Sequence, residues 1–299
     1  MQIDTNQLID LDRFPIHQPG PKLDALLKDI RANLAADGCA VLKGFVKPRG
    51  IELLTAEAES VSDRGHRSYN RTNPYFTKDD PSLPGDDPRR AFFNRSNNFI
   101  SADNFDQTGP LRTLHDFPAF DPFIQACLQQ EDFYRYADPL ADVIINMAEE
   151  GEGFPWHFDT NNFTVTLAIQ NADSGGAFEY APNIRRGDGD GDGDSDGGSD
   201  DGAGCDGENF DEVRRVLNGA SDKVVRLDLE PGDLQLFCGR YSLHRVAPLM
   251  GPIPRYVAIF SYVEEPNMVG APERARQLYG KVLPIHIERA GQRSDAYID

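Results

Sequence analysis

A chain of 299 residues with 49 acidic and 30 basic side chains carries a formal charge of −19 and has a pI near 4.6. That charge repels nucleic acid and anionic membrane surfaces and points to a small-molecule partner. No apolar run approaches the ~20 residues of a membrane helix, and the opening MQIDTNQLIDLDRF lacks the basic and apolar regions of a secretory signal.

Residues 22–36 place Leu23, Leu26, Leu27, Ile30 and Leu34 on one helical stripe, which Asp37-Gly38 ends before the strand-like CAVLKGFV. A second helix is predicted from Arg49 to about Ser62. The following RSYNRTNPYFTKDDPSLPGDDPRRAF is rich in Pro, Asn and Asp and reads as a long ordered loop, of the kind that forms lids or binding loops. Residues 119–142 read as mostly helical. From Val143 the pattern changes to short strands, VIINMAE, FTVTLAIQ, AFEYAP, KVVRLDL, LQLFCG and RYVAIFSY, separated by turns such as Pro231-Gly232-Asp233. Helices followed by short strands predict an α+β fold, with a helical layer on an antiparallel jelly roll, and one domain over residues 1–299. A short helix in PERARQLYGK and a polar tail close the chain.

Residues 187–207, GDGDGDGDSDGGSDDGAGCDG, hold eight aspartates and no basic residue. Asp188, Asp190, Asp192 and Gly193 mimic the start of a calcium loop, but its twelfth position is Ser199 rather than glutamate. The composition therefore predicts a disordered, solvated insertion between two strands. Cys39, Cys127, Cys205 and Cys238 form no CxxC pair, so free thiols in a reducing, cytoplasmic setting are expected.

The chemistry gathers around PWHFDTNNFTVTLAIQ, residues 155–170. His157 and Asp159, two apart on extended backbone, point to one side and can share an ion, while Phe158 points away. A third ligand is offered by His244, which follows a turn and an apolar strand and can be carried back across the sheet. Two histidines and one carboxylate leave three coordination positions open, the donor set of non-haem iron oxygenases. Arg255 opens the strand RYVAIFSY with no acid partner in that strand, and a dicarboxylate would supply one. A single HxD triplet arises often by chance. Only six histidines occur, however, and two fall where such a site needs them. His17, His66, His115 and His286 are expected to be surface or packing residues.

HFD at 157–159 with His244 and Arg255 resembles the signature of Fe(II) and 2-oxoglutarate dependent oxygenases, whose fold is a double-stranded β-helix. DPSLPGDDPRR, the long PWHFDTNNFTVTLAIQ and GGAFEYAPNIR extend the resemblance to radical halogenases and hydroxylases of free amino acids, over about residues 30–280. The resemblance implies His157, Asp159 and His244 as iron ligands, Arg255 binding the far carboxylate of 2-oxoglutarate, and O2 as second cosubstrate. Many such enzymes have a serine two residues after this arginine; Val257 stands there instead. Halogenases of the subgroup replace the acid ligand by a small residue so that chloride can bind. Asp159 therefore implies hydroxylation of an unactivated carbon, with release of succinate and CO2. Desaturation or ring closure, including aziridine formation, is the alternative outcome of the same chemistry. A non-redox cupin-like metal protein or a zinc hydrolase would leave Arg255 unexplained.

For the substrate, Arg95 in AFFNRSNNF occupies about the place of the subgroup's carboxylate-binding arginine. Thr160, Asn161 and Asn162 follow the iron motif where a second acid would hold a side-chain ammonium. Their neutrality, with Phe154 and Trp156 nearby, favours an aliphatic or cyclic side chain over lysine or ornithine, unless Asp142 or Glu152 reaches the site. Arg95, Trp156 and Asn162 are the predicted substrate contacts. No nucleic acid or membrane partner is expected, and a homodimer stays open.

Overall fold

The computed structural model describes residues 3–185 and 207–290; most of the acidic run, and with it the prediction of disorder, lies outside them. Eight α-helices lie within these residues: α1 (Thr5–Leu8), α2 (Pro21–Asp37), α3 (Pro48–Val61), α4 (Pro110–His115), α5 (Phe120–Leu128), α6 (Phe210–Leu217), α7 (Pro272–Tyr279) and α8 (Pro284–Glu288). The first strands are β1 (Cys39–Leu42), β2 (His66–Thr72), β3 (Phe93–Ile100), β4 (Tyr134–Arg135) and β5 (Val143–Ala148). They are followed by β6 (Phe154–His157), β7 (Thr164–Gln170), β8 (Ser174–Gly175), β9 (Phe178–Ala181) and β10 (Val225–Leu227). The last five are β11 (Leu234–Phe237), β12 (Leu243–Val246), β13 (Leu249–Met250), β14 (Arg255–Phe260) and β15 (Tyr262–Val263).

Two antiparallel sheets carry the architecture. The larger runs β1-β11-β7-β14-β5-β3-β2 and the smaller β10-β9-β12-β6. Alternation in β7 decides its faces: Val165, Leu167 and Ile169 bury against the helical layer, in one core with Ile30, Leu54, Leu111 and Phe120. Thr164, Thr166 and Ala168 consequently face the smaller sheet. Phe178 and Tyr180 of β9 pack with Cys39 and Phe237 of the larger sheet, which joins the two layers. The fold is the expected α+β jelly roll with a packed helical layer. No helix among the described residues is long and apolar enough to cross a membrane.

The predicted leucine stripe forms α2, which Gly38 ends in the left-handed region at φ 63°. A Cβ there would lie 2.7 Å from Asn183 Oδ1, so glycine serves both the turn and a close approach. The loop prediction is half corrected: His66–Thr72 is the edge strand β2, paired with β3 along its whole length. Its sequence HRSYNRT lacks apolar alternation because one face is open, with Tyr69 75% exposed, and the other carries polar groups toward a cavity. The remaining loop is stitched by Asn73, whose amide donates to Thr77 O (3.0 Å) and whose Oδ1 accepts from Tyr75 N and Thr77 N. The helix predicted through residue 142 stops at Leu128, where Gln129 turns left-handed at φ 56°. Gln125 then donates to Gln130 O (3.1 Å), and the chain runs on irregularly to β4 and β5.

The polar tail contains α8, fixed by a fully buried His286. Leu283 N donates to His286 Nδ1 (2.8 Å), so Nε2 carries the proton and donates to Asp138 (3.0 Å). Beside the acidic run, Arg185 pairs with Glu208 at 2.9 Å and lies over the Phe158 ring at 5.2 Å. Cys39, Cys127 and Cys238 are free thiols.

His115 is fully buried among Phe120, Phe260 and Tyr262, with neither ring nitrogen hydrogen-bonded. Burial first, and the Arg135 and Arg112 charges second, push its pKa down to about 2. The unfolded chain therefore binds the extra proton below about pH 6.5, the ordinary histidine value. Stability contributed by the neutral ring is full above that pH and falls on acidification, by up to about 1.4 kcal/mol per pH unit. Thermal unfolding of His115→Leu, followed from pH 7 to pH 5, is expected to show a shallower loss of Tm than the parent. Equal slopes would place the acid sensitivity elsewhere.

Candidate active site

β6 and β12 are neighbours in the smaller sheet, and His157 sits directly opposite His244 across that pair. This register unites two histidines far apart in sequence, with ring centroids 4.1 Å apart. Asp159 follows two residues after the end of β6, and its Oδ1 lies 3.5 Å from His157 Nε2 and 3.4 Å from His244 Nε2. One donor atom from each of the three residues falls within 4.8 Å of the others. His157 Nδ1 donates to Pro155 O (2.8 Å) and His244 Nδ1 to Ser242 O (2.9 Å), which leaves both Nε2 lone pairs facing the carboxylate.

The local electrostatics suit a cation. Burial, with the charge of His244 adding to it, pushes the His157 pKa down to about 4, so the ring is neutral at pH 7. Burial alone would raise the Asp159 pKa, but the adjacent His244 and His157 outweigh it and hold the carboxyl well below its ordinary value. A proton shared between the imidazoles and the carboxylate answers this negative charge, and with both Nε2 atoms deprotonated a cation takes the proton's place. The donor set therefore fits a divalent metal with open positions.

Two further residues shape this cluster. Thr164, the first residue of β7 and inward-facing, donates from Oγ1 to Asp159 Oδ2 (2.6 Å), leaving Oδ1 turned to the histidines. A Cβ at Gly239 would lie 2.0 Å from Asp159 Oδ2, and Gly239 O accepts from Asp159 N (3.0 Å). The carboxylate can occupy this position only beside a glycine. Thr164 was legible in principle, five residues after Asp159 on the inward face of a predicted strand, but Gly239 was not.

Arg255 is the first residue of β14, buried and paired in register with Ala148. No described carboxylate lies within ion-pair distance of it, and burial pushes its pKa down to about 10. Val257 pairs with Asn146, whose amide shares its face.

A cavity of about 500 Å³ opens beside the metal cluster, lined by His157, Asp159 and Thr164 together with Phe76, Phe154 and Arg95. The Arg95 guanidinium stacks over Phe154 (3.8 Å) and Phe76 (4.8 Å), and its Nε donates to Asn97 (3.0 Å). Phe154 in turn lies 4.4 Å from the His157 ring, so one aromatic layer separates Arg95 from that imidazole. Burial, reinforced by the charge of Arg274, pushes the Arg95 pKa down to about 9. Thr160 and Asn161 also line the cavity.

The other predicted contacts stand elsewhere. Trp156 faces away from the cavity, packing with Val213 and Leu243 under Arg245 at 4.7 Å, because adjacent strand residues alternate and His157 takes the inner face. Asn162 lines a smaller neighbouring cavity and donates to Glu264. Asp142 is held by Arg112 (3.0 Å) and Glu152 by Ser96 (2.8 Å) and Arg67, so neither reaches the cavity. Arg71, Lys78, Arg274, Tyr136 and Tyr279, which line it, carry no local sequence signal.

No curated protein matches this sequence. Among solved structures, the non-heme alpha ketoglutarate dependent carbocyclase SnoK from nogalamycin biosynthesis aligns with a TM-score of 0.54. It is 14% identical, over 89% of this chain and 96% of that one. A Trichoplax adhaerens prolyl hydroxylase in complex with a hypoxia inducible factor fragment aligns at 0.51 and 15% identity, over 82% and 92%. The epimerase SnoN, in complex with Fe3+, alpha ketoglutarate and nogalamycin RO, aligns at 0.51 and 14% identity, over 81% and 84%. The fold is thus one used by 2-oxoglutarate and iron dependent oxygenases. Residues 23–274 match the family model described as Halogenase D, and with that span the chain belongs to the Halogenase D family.

Proposed function

We propose that the chain is an Fe(II) and 2-oxoglutarate dependent dioxygenase that hydroxylates an unactivated carbon of a free amino or imino acid, with release of succinate and CO2. One observation carries the choice of outcome: Asp159 completes the His157 and His244 cluster, filling the position that a halogenase of the resembling subgroup leaves for chloride. The whole chain would act as one oxygenase domain. Free Cys39, Cys127 and Cys238 favour a reducing, cytoplasmic setting.

In this reading His157, Asp159 and His244 hold the metal, and the Nδ1 bonds to Pro155 O and Ser242 O fix both rings as neutral ligands. When bound, iron with 2-oxoglutarate and O2 supplies the oxidant that removes a hydrogen atom from the substrate. Arg255 takes the distal carboxylate of 2-oxoglutarate, with Asn146 offering the polar contact that Val257 cannot. Arg95 takes the substrate carboxylate, pinned by its two phenylalanine neighbours so that its fork does not wander. Phe76 and Phe154 also exclude water from the side of the cavity nearest His157.

Arg95→Leu is expected to consume 2-oxoglutarate slowly while losing about 100-fold or more of its substrate-stimulated turnover, because the target carbon is no longer held in place. Succinate and product are measured together, and the product should weigh one oxygen atom more than the substrate. Loss of two hydrogens would instead support desaturation or ring closure. Undiminished stimulation in Arg95→Leu would remove this arginine from the substrate site.

A further inference from the structure

The charge lining the cavity does not match a monoanionic substrate. Arg71, Lys78, Arg95 and Arg274 border it, while among the described residues the only acidic one doing so is Asp159, which belongs to the candidate metal cluster. Among the described residues this is a local reversal of sign in a chain whose formal charge is −19.

The four cations come from separate places. Arg95 lies on β3, deep beside the metal cluster. Arg71 lies on β2 with its guanidinium 5.4 Å over the Phe92 ring, Lys78 on the loop after β2, and Arg274 on α7. Neither Arg71 nor Lys78 has a carboxylate within ion-pair distance among the described residues, and both are exposed. The acids closest to them in sequence are engaged otherwise. Asp79 pairs with Arg90 (3.0 Å), Asp87 with Arg89 (2.7 Å), and Asp80 accepts from Ser82 N (2.9 Å).

Given the proposed amino acid hydroxylase, on which this step rests, the anionic ends of the small molecules can be allotted. The metal and Arg255 answer the two ends of 2-oxoglutarate, and Arg95 answers the substrate's α-carboxylate. Arg71 and Lys78 then have no counter-charge from either molecule. Like charges gathered around one cavity repel one another, and a ligand anion relieves that repulsion.

We infer that the substrate is an amino acid with a second anionic group on its side chain, a carboxylate or a phosphate, held at the cavity wall by Arg71 and Lys78. This replaces the aliphatic side chain suggested by the neutral residues 160–162. Of those three, Asn162 lies outside the cavity, and a neutral side chain would leave the basic wall unanswered.

The test uses the full chain loaded with Fe(II) and 2-oxoglutarate and reads substrate-stimulated succinate formation. L-glutamate, L-2-aminoadipate and O-phospho-L-serine are compared with L-norvaline and L-norleucine. The expected result is a kcat/KM for at least one acidic compound about tenfold or more above the neutral ones, with a KM that rises with salt. Preference for carboxylate or for phosphate identifies which anion the wall takes. Exposed partners contribute a few-fold each, so Arg71→Gln with Lys78→Gln should cut the acidic preference about tenfold through KM. Circular dichroism of the double variant checks that it folds. Neutral amino acids that stimulate as well as acidic ones overturn this inference and leave the amino acid reading intact. If no free amino acid stimulates, and a peptide or carrier-bound substrate does, the amino acid reading fails and takes this inference with it.

Discussion

His244→Ala is expected to abolish turnover and to weaken Fe(II) binding beyond the roughly 10- to 100-fold that loss of an outer partner costs. His244 contributes one of three donor atoms, and its loss leaves His157 and Asp159 with two on one side of any ion. The remaining pair cannot define a face with three open positions. Metal content after dialysis and metal-dependent thermal stabilisation check the binding separately from activity. The fold should survive, because Leu243 and the β9 pairing hold β12 without the imidazole. Near-normal activity in the variant would require another ligand in its place.

The second large effect belongs to Arg255. Arg255→Ala removes a buried charge whose proposed partner is the far carboxylate of 2-oxoglutarate, a loss of about 2 to 5 kcal/mol, or roughly 30-fold to several thousand-fold in affinity. The 2-oxoglutarate dependence of succinate formation measures it. Arg255→Lys should recover only part, since a point charge does not reproduce the two-pronged geometry. An unchanged requirement for 2-oxoglutarate would show that a different cation binds it, and Arg95, which lines the cavity with His157 and Asp159, would be the first to examine.

Much of this centre was legible in the sequence because its chemistry is written in residue type and in local spacing. His157 and Asp159 lie on one short stretch, His244 ends a recognisable strand unit, and Arg255 begins another. The leucines of α2 and the alternation of β7 each reported a buried face directly. What escaped had other causes. The strand β2 looked like loop because an edge strand with one open face needs no apolar period. Arg71, Lys78 and Arg274 meet only through tertiary packing of an edge strand, a loop and a C-terminal helix. His286 finds Asp138 across 148 positions of chain, a pairing with no local trace. Trp156 is a different case, since period-two alternation already sends it to the face opposite His157. Proximity in sequence was there mistaken for proximity in space.

The Arg185–Glu208 pair has an architectural consequence. It joins the residues that flank the acidic run between Ala181 and Phe210, and Arg185 reaches the ring of Phe158, which stands between His157 and Asp159. The pair ties the chain after β9 to the chain before α6. A shorter link in place of residues 187–207, or a cut within them, is therefore expected to leave the register of the two sheets unchanged, because both ends of the segment are already held together.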